Sequence, residues 1–212
     1  MRIGGFVKQS LVDWDGYIAA VVFVKGCNLR CFYCHNPSLV LPRLVKGSPE
    51  NSEEYVLGFL RTHAAFIDGV VVTGGEPTLQ RDLKDFLRKI KDMELIVKLD
   101  TNGTNPKILN EVIAEGLVDC IAIDIKNVLE YEAYRVISLK ISRHEFENVR
   151  ESVYMLKNSA VPHIFRTTVV DGIHSKEVIE IIRAEFPDVV FQKYRGDSPT
   201  IASELGDAGL ED

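Results

Sequence analysis

The chain has 212 residues, 46% of them hydrophobic, which supports one buried core and makes a single domain over residues 1–212 the expectation. A net charge of −6 argues against nucleic acid or an anionic membrane as its main partner. The opening Met1-Arg2-Ile3-Gly4-Gly5 lacks a signal-type apolar run, and Ile18 to Val24 is far too short to cross a bilayer, so a soluble, cytoplasmic protein is expected.

In chain order, Tyr17 to Val24 reads as a strand, followed by a long loop that holds three cysteines. Ser52 to Thr62 reads as a helix with Tyr55, Val56, Phe59 and Leu60 on one face, and Gly69 to Thr73 as a short apolar strand. Leu83 to Ile90 has the spacing of an amphipathic helix, Leu95 to Leu99 is a strand, and Pro106 to Glu115 is a helix. Cys120 to Ile125 is a strand and the region from about Glu145 to Lys157 is helical. His163 to Val170 is a strand, Ser175 to Ala184 a helix, and Val189 to Phe191 a last strand. Alternation of this kind predicts an α/β fold of parallel strands joined by crossovers, with no long hairpin. Six units are too few for a closed eight-fold barrel of about 250 residues, which leaves a partial barrel or an open doubly wound sheet. Charge is uneven: the first 46 residues are basic, and the stretch from Asp197 to Asp212 holds five acids and no base. Residues 196–212 therefore read as a loose acidic tail or a segment that orders on a partner.

Three of the four cysteines lie in Gly26-Cys27-Asn28-Leu29-Arg30-Cys31-Phe32-Tyr33-Cys34-His35-Asn36-Pro37, directly after a strand. That places them at the C-terminal edge of the sheet, where α/β sites form. Three close thiolates favour soft metals and iron-sulfur clusters. If they hold a cubane, one iron keeps no protein ligand, and an open position is what makes a metal centre catalytic. The competing assignment is a structural zinc on Cys27, Cys31, Cys34 and either His35 or Cys120. Zinc sites usually pair two cysteine knuckles, and only one is present here. Cys120 starts its strand, about 13 Å from Asp124 at ~3.3 Å per residue, which suits a buried filler better than a ligand.

Other motifs end neighbouring strands. Thr73-Gly74-Gly75-Glu76-Pro77 is an ordinary turn by composition, yet two glycines also let backbone approach a ligand, beside the Glu76 carboxylate. Asp100-Thr101-Asn102-Gly103 reads as a turn or helix cap. Asp124 and Lys126 share the face of their strand opposite Ile121, Ile123 and Ile125, so two charges point one way and need either each other or a charged ligand. Arg166 stands among apolar neighbours and needs a partner, and Lys98 lies on the same face as Asp100.

The cysteine spacing, with Tyr33 before the last cysteine, resembles the radical S-adenosylmethionine superfamily. The longer string from Gly26 to Pro37 resembles the activating enzymes of glycyl radical enzymes, those of anaerobic ribonucleoside-triphosphate reductase first. The resemblance implies a partial (βα)6 barrel of TIM type and a 4Fe-4S cluster on Cys27, Cys31 and Cys34. It implies reductive cleavage of S-adenosylmethionine to methionine and a 5′-deoxyadenosyl radical, which takes a hydrogen from a glycine of the partner. Gly74, Gly75 and Glu76 would hold the methionine amino group. Asp100, Thr101 and Asn102 would meet ribose and methionine, Lys126 the carboxylate, and Arg166 the cosubstrate. Asp100, Thr101 and Asp124 could also hold a monovalent cation. A glycyl radical enzyme, above all anaerobic ribonucleotide reductase, and an electron donor such as flavodoxin or ferredoxin are the implied partners. Two departures stand out: Asp15 replaces the family's usual proline, and Tyr194-Arg195-Gly196 stands where formate-lyase activators carry a late histidine motif, which speaks against that lyase as partner. A radical enzyme acting on a small molecule remains the alternative reading.

Overall fold

The computed structural model describes residues 1–196 and 200–205. Seven strands form one sheet in sequence order: β1 (Ile3–Ser10), β2 (Ala19–Val24), β3 (Gly69–Gly74), β4 (Ile96–Thr101), β5 (Cys120–Asp124), β6 (His163–Val169) and β7 (Val190–Lys193). β2 to β7 are parallel throughout, as the alternation predicts, and their bounds fall within two residues of the expected ones. The sheet runs from β1 to β7 without closing, which makes it a partial barrel of the TIM type.

β1 corrects the expectation of no hairpin. It pairs antiparallel with β2, from Ile3 opposite Val24 to Ser10 opposite Ala19, with two register shifts. Its sequence, IGGFVKQS, lacks the apolar run of the inner strands because it is an edge strand, flanked by a strand on one side and on the other only by the single Ile3–Asn51 bridge.

The helices are α1 (Pro37–Val40), α2 (Pro42–Gly47), α3 (Glu53–His63), α4 (Leu83–Lys91), α5 (Pro106–Ala114), α6 (Tyr131–Ile137), α7 (Arg143–Lys157), α8 (Lys176–Glu185) and α9 (Ile201–Leu205). α1, α2, α6 and α9 are too short to leave a periodic signal. Four of the five longer helices start where the sequence offers caps, α4 being the one without a side-chain cap at Asp82. Ser52 accepts from the Tyr55 N–H, Asn105 from that of Ile108 and Ser175 from that of Val178. Ser142 and Glu145 form a reciprocal capping box on α7. None of the helices among the described residues is long and apolar enough to span a membrane.

The two faces of the sheet differ in kind. Val22, Val70, Val72, Val97, Leu99, Ile121 and Ile123 join the main core with Leu60, Phe86, Ile90, Leu109, Val149 and Val153 from the helices. The inner face holds a small apolar cluster of Trp14, Ala19, Val21, Val71 and Cys120. Above that cluster the inner face turns polar with Lys98, Asp100, Asp124 and Arg166. Cys120 is therefore a buried filler at the closed end, as expected for its strand position.

The described part of the C-terminal stretch is not loose. Ile201 is fully buried with Val40 and Leu41, and its N–H donates to the Cys34 carbonyl at 3.2 Å. The Ala202 N–H donates to the Phe32 carbonyl at 2.9 Å, and Arg43 pairs with Glu204 at 3.3 Å. Apolar Ile201 inside an acidic stretch is what docks it, a contact that composition averages away. Residues 197–199 and 206–212 of the expected tail lie outside the described residues.

Candidate functional site

The cysteine loop leaves β2 at Gly26, whose φ of +96° turns the chain sharply. The Gly26 N–H donates to the Leu39 carbonyl (2.7 Å), and its carbonyl accepts from the Glu76 N–H (2.7 Å). A cavity of about 560 Å³ opens above the loop. Cys27, Cys31, Cys34 and Tyr33 line it, with Gly74, Gly75, Asp100, Thr101, Asn102, Asp124, Lys126 and Arg166 from four other strand ends. One structure thus gathers residues spread over 140 positions of sequence around one space.

Glu76 is the exception among the expected site residues, for it does not line the cavity. Its carboxylate is fully buried and turned sideways. Oε1 accepts from the Thr78 N–H (3.0 Å), the Thr78 hydroxyl (2.7 Å) and the Thr101 hydroxyl (2.7 Å); Oε2 accepts from the Asn102 N–H (2.7 Å). Burial outweighs these donors and raises its pKa above the usual carboxylate value. Glu76 is therefore a strut that joins the end of β3 to the end of β4. From there Asn102 Nδ2 donates to Asn28 Oδ1 (3.0 Å) and lies 3.8 Å from Cys27 Sγ. Asn28 in turn donates to Thr104 Oγ1 (3.0 Å) and to Glu145 Oε1 (2.9 Å).

The glycines also have a different first duty. A Cβ on Gly75 would lie 2.1 Å from the Gly26 carbonyl oxygen, and one on Gly74 would lie 2.5 Å from Val24 N. The close approach they permit is that of the chain's own backbone, which seats β3 against the cysteine loop. Both nevertheless face the cavity as well.

The charged residues form one network. Arg166 Nε lies 3.0 Å from Asp124 Oδ1, and its terminal nitrogens lie 3.3 Å from Asp100 Oδ2. Lys98 sits 3.2 Å from Asp100 Oδ1 and also donates to the Asp13 carbonyl. Lys126 lies 4.0 Å from Asp124 and 5.9 Å from the Tyr33 ring centroid. Burial alone would raise the Asp124 pKa, but Arg166 and Lys126 outweigh it and hold the carboxyl below its usual value. Burial would likewise lower Arg166 and Lys126, and the neighbouring negative groups raise both instead. Asp100 and Asp124, the carboxylates expected beside a monovalent cation, are thus already neutralised by side-chain cations.

All three thiols line the cavity. Among the described residues no three His, Cys, Asp or Glu side chains converge closely enough for a single ion. Burial pushes Cys27 up to about 12 and Cys34 up to about 11, so metal must displace protons to bind there. Soft, spaced thiols suit a multi-iron cluster, and Cys120 lies at the opposite end of the sheet. The residues present fit a 4Fe-4S cluster with one iron left open.

Sequence reasoning missed the outer rim. Thr168, Gln192, Tyr194 and Arg195 also line the cavity, and the Tyr194 ring stands 6.1 Å from Tyr33 and 5.4 Å from His35. Their positions at the ends of β6 and β7 were the available signal.

An unclosed parallel barrel with three cysteines on the loop after its first parallel strand defines an iron-sulfur enzyme site at the C-terminal edge. The profile of the radical SAM superfamily matches residues 21–184, and the chain belongs to that superfamily. It is 33% identical over 189 residues to a Methanocaldococcus jannaschii protein provisionally named a glycyl-radical enzyme activating enzyme, covering 88% of this chain and 75% of that one. It is 32% identical over 176 residues to the pyruvate formate-lyase-activating enzyme of Clostridium pasteurianum, covering 81% and 71%. The structure of native anSMEcpe with bound AdoMet superposes with a TM-score of 0.62 at 19% identity, over 81% of this chain and 50% of that one.

Proposed function

We propose that this enzyme is an activating enzyme that cleaves S-adenosylmethionine reductively and installs a glycyl radical on a partner enzyme. Anaerobic ribonucleoside-triphosphate reductase is the partner we propose, on the motif from Gly26 to Pro37. The observation that carries the reading is the set of three spaced thiols, without a fourth, opening on a cavity lined by polar strand ends. The names of its relatives support the activating role.

Cys27, Cys31 and Cys34 would hold the cluster. When bound, it supplies one electron to the sulfonium of S-adenosylmethionine. Gly74 and Gly75 present backbone to the methionine end, and Glu76 holds the Thr101-Asn102 turn in place beside it. Lys126, buried and kept charged by its surroundings, receives the carboxylate. Asp100, Arg166 and Asp124 form a hydrogen-bonded polar wall, and Tyr33 packs beside Lys126. A flavodoxin or ferredoxin would supply the electron. A cytoplasmic setting belongs to the same reading, since free thiols persist there.

The test has two stages. Anaerobically reconstituted, reduced protein is given S-adenosylmethionine and assayed for 5′-deoxyadenosine. Candidate reductase is then added, and a glycyl radical signal is sought by electron paramagnetic resonance. Both products support the reading. Nucleoside without a radical on any glycyl radical enzyme favours the small-molecule alternative, and neither product refutes both.

A further inference from the structure

Cys31 has a neighbour that nothing in the local sequence announces. After α6 the segment 137–141 runs back along the cysteine loop. The Phe32 N–H donates to the Ile137 carbonyl (3.2 Å), and the Leu139 N–H to the Arg30 carbonyl (3.3 Å). Between those two bonds Cys31 and Ser138 face each other as an isolated antiparallel pair. Such a non-hydrogen-bonded pair is the arrangement that brings facing side chains closest, at about 4.5 Å between Cα atoms. Ser138 Oγ accordingly lies 3.2 Å from Cys31 Sγ.

Ser138 is fully buried, 107 positions along the chain from Cys31. Its backbone is already engaged, the N–H with the Tyr134 carbonyl (2.9 Å) and the carbonyl with the Ile141 N–H (2.9 Å). A buried hydroxyl is costly without a partner, and the cysteine sulfur is the partner it has. A metal-bound sulfur has lost its proton and can only accept, so the hydroxyl donates.

We propose that Ser138 donates a hydrogen bond to the Cys31 sulfur in the loaded enzyme and sets the reduction potential of its cluster. This rests on the cluster assignment made above. A donor on a ligand sulfur stabilises the extra negative charge of the reduced form and so raises the potential; hydrogen bonds to sulfur are among the factors that tune such centres. Ser138 is a positioning residue in this role, acting through Cys31.

The experiment is a redox titration of the reconstituted holoenzyme, followed by electron paramagnetic resonance, for wild type, Ser138→Ala and Ser138→Thr. Ser138→Ala should shift the midpoint to more negative potential by about tenfold in the reduction equilibrium, equivalent to ~59 mV for one electron. Ser138→Thr keeps the hydroxyl and should stay near wild type. Equal midpoints in all three, or equal shifts in both variants, would overturn the proposal, the second because packing would then be the cause. If Ser138→Ala fails to load, the isosteric pair Ser138→Thr and Ser138→Val carries the same comparison. Failure of every hydroxyl-free variant to load, beside a loaded Ser138→Thr, overturns it in favour of an assembly role. Wild type that takes up zinc and no iron refutes the functional reading itself, whereas a loaded cluster of unchanged potential refutes only the role of Ser138.

Discussion

Glu76→Gln changes one heavy atom and should cost far more than its size suggests. The carboxylate accepts four donors, three on Oε1 and one on Oε2. Glutamine keeps one acceptor oxygen and presents an N–H₂ in place of the other. Turned toward Asn102, the amide loses one charge-assisted bond and sets donor against donor. The lost bond is worth about 1.5–3 kcal/mol and the orphaned N–H about 1–3 kcal/mol. Turned the other way, it confronts the Thr78 N–H, which cannot reverse. Removing a buried charge offsets part of this, so the net loss should be about 2–4 kcal/mol. Urea unfolding at pH 7 would show a lower midpoint at unchanged slope. The pH dependence has a definite sign. The folded pKa of Glu76 is raised, so its contribution to stability is fully present below the unfolded value and is lost as pH rises through the folded one. The variant lacks this titration, and its deficit should widen as pH falls from 7 toward 5. A deficit under about 1 kcal/mol at pH 7 refutes the strut. A deficit that narrows on acidification shows that the four donors, not burial, govern the carboxyl.

Other substitutions test the remaining parts of the site. Gly75→Ala places a Cβ against the Gly26 carbonyl and should cost about 3 kcal/mol, at the upper end of overpacking, with reduced iron uptake on reconstitution. Arg166→Met leaves Asp100 with Lys98 and Asp124 with Lys126; since Asp124 is 40% exposed, the loss should be about 2 kcal/mol, below that of a fully buried pair. A stability equal to wild type would show that the network is not coupled through Arg166. Ile201→Asp removes a fully buried apolar contact worth about 1.5–3 kcal/mol, so the open fraction of the C-terminal segment should rise about 10- to 100-fold. Alkylation of Cys34 in metal-free protein should quicken accordingly while Cys120 does not, a comparison read by mass spectrometry of the two peptides.

The sequence by itself determined what depends on neighbouring residues. Three cysteines within eight positions declare soft-metal chemistry because their spacing is local. Buried parallel strands read as runs of Val and Ile because both faces are covered. Caps such as Ser52 and Ser142 announce helix starts because they bond within one turn. Tertiary structure alone decided what depends on residues far apart. β1 is a strand because β2 supplies its hydrogen bonds, which its own polar, glycine-containing sequence does not advertise. Glu76 is buried beside the cavity rather than lining it because Thr101 and Asn102 offer it donors there. Arg166 is placed by two aspartates, 66 and 42 positions earlier. Ile201 covers the cysteine loop although its surroundings in sequence are acidic, and Ser138 meets Cys31 only because a linker folds back as a bridge. Local bonding and periodicity are written in consecutive residues, whereas the partners of buried charges, hydroxyls and edge strands are chosen by packing once the chain has closed on itself.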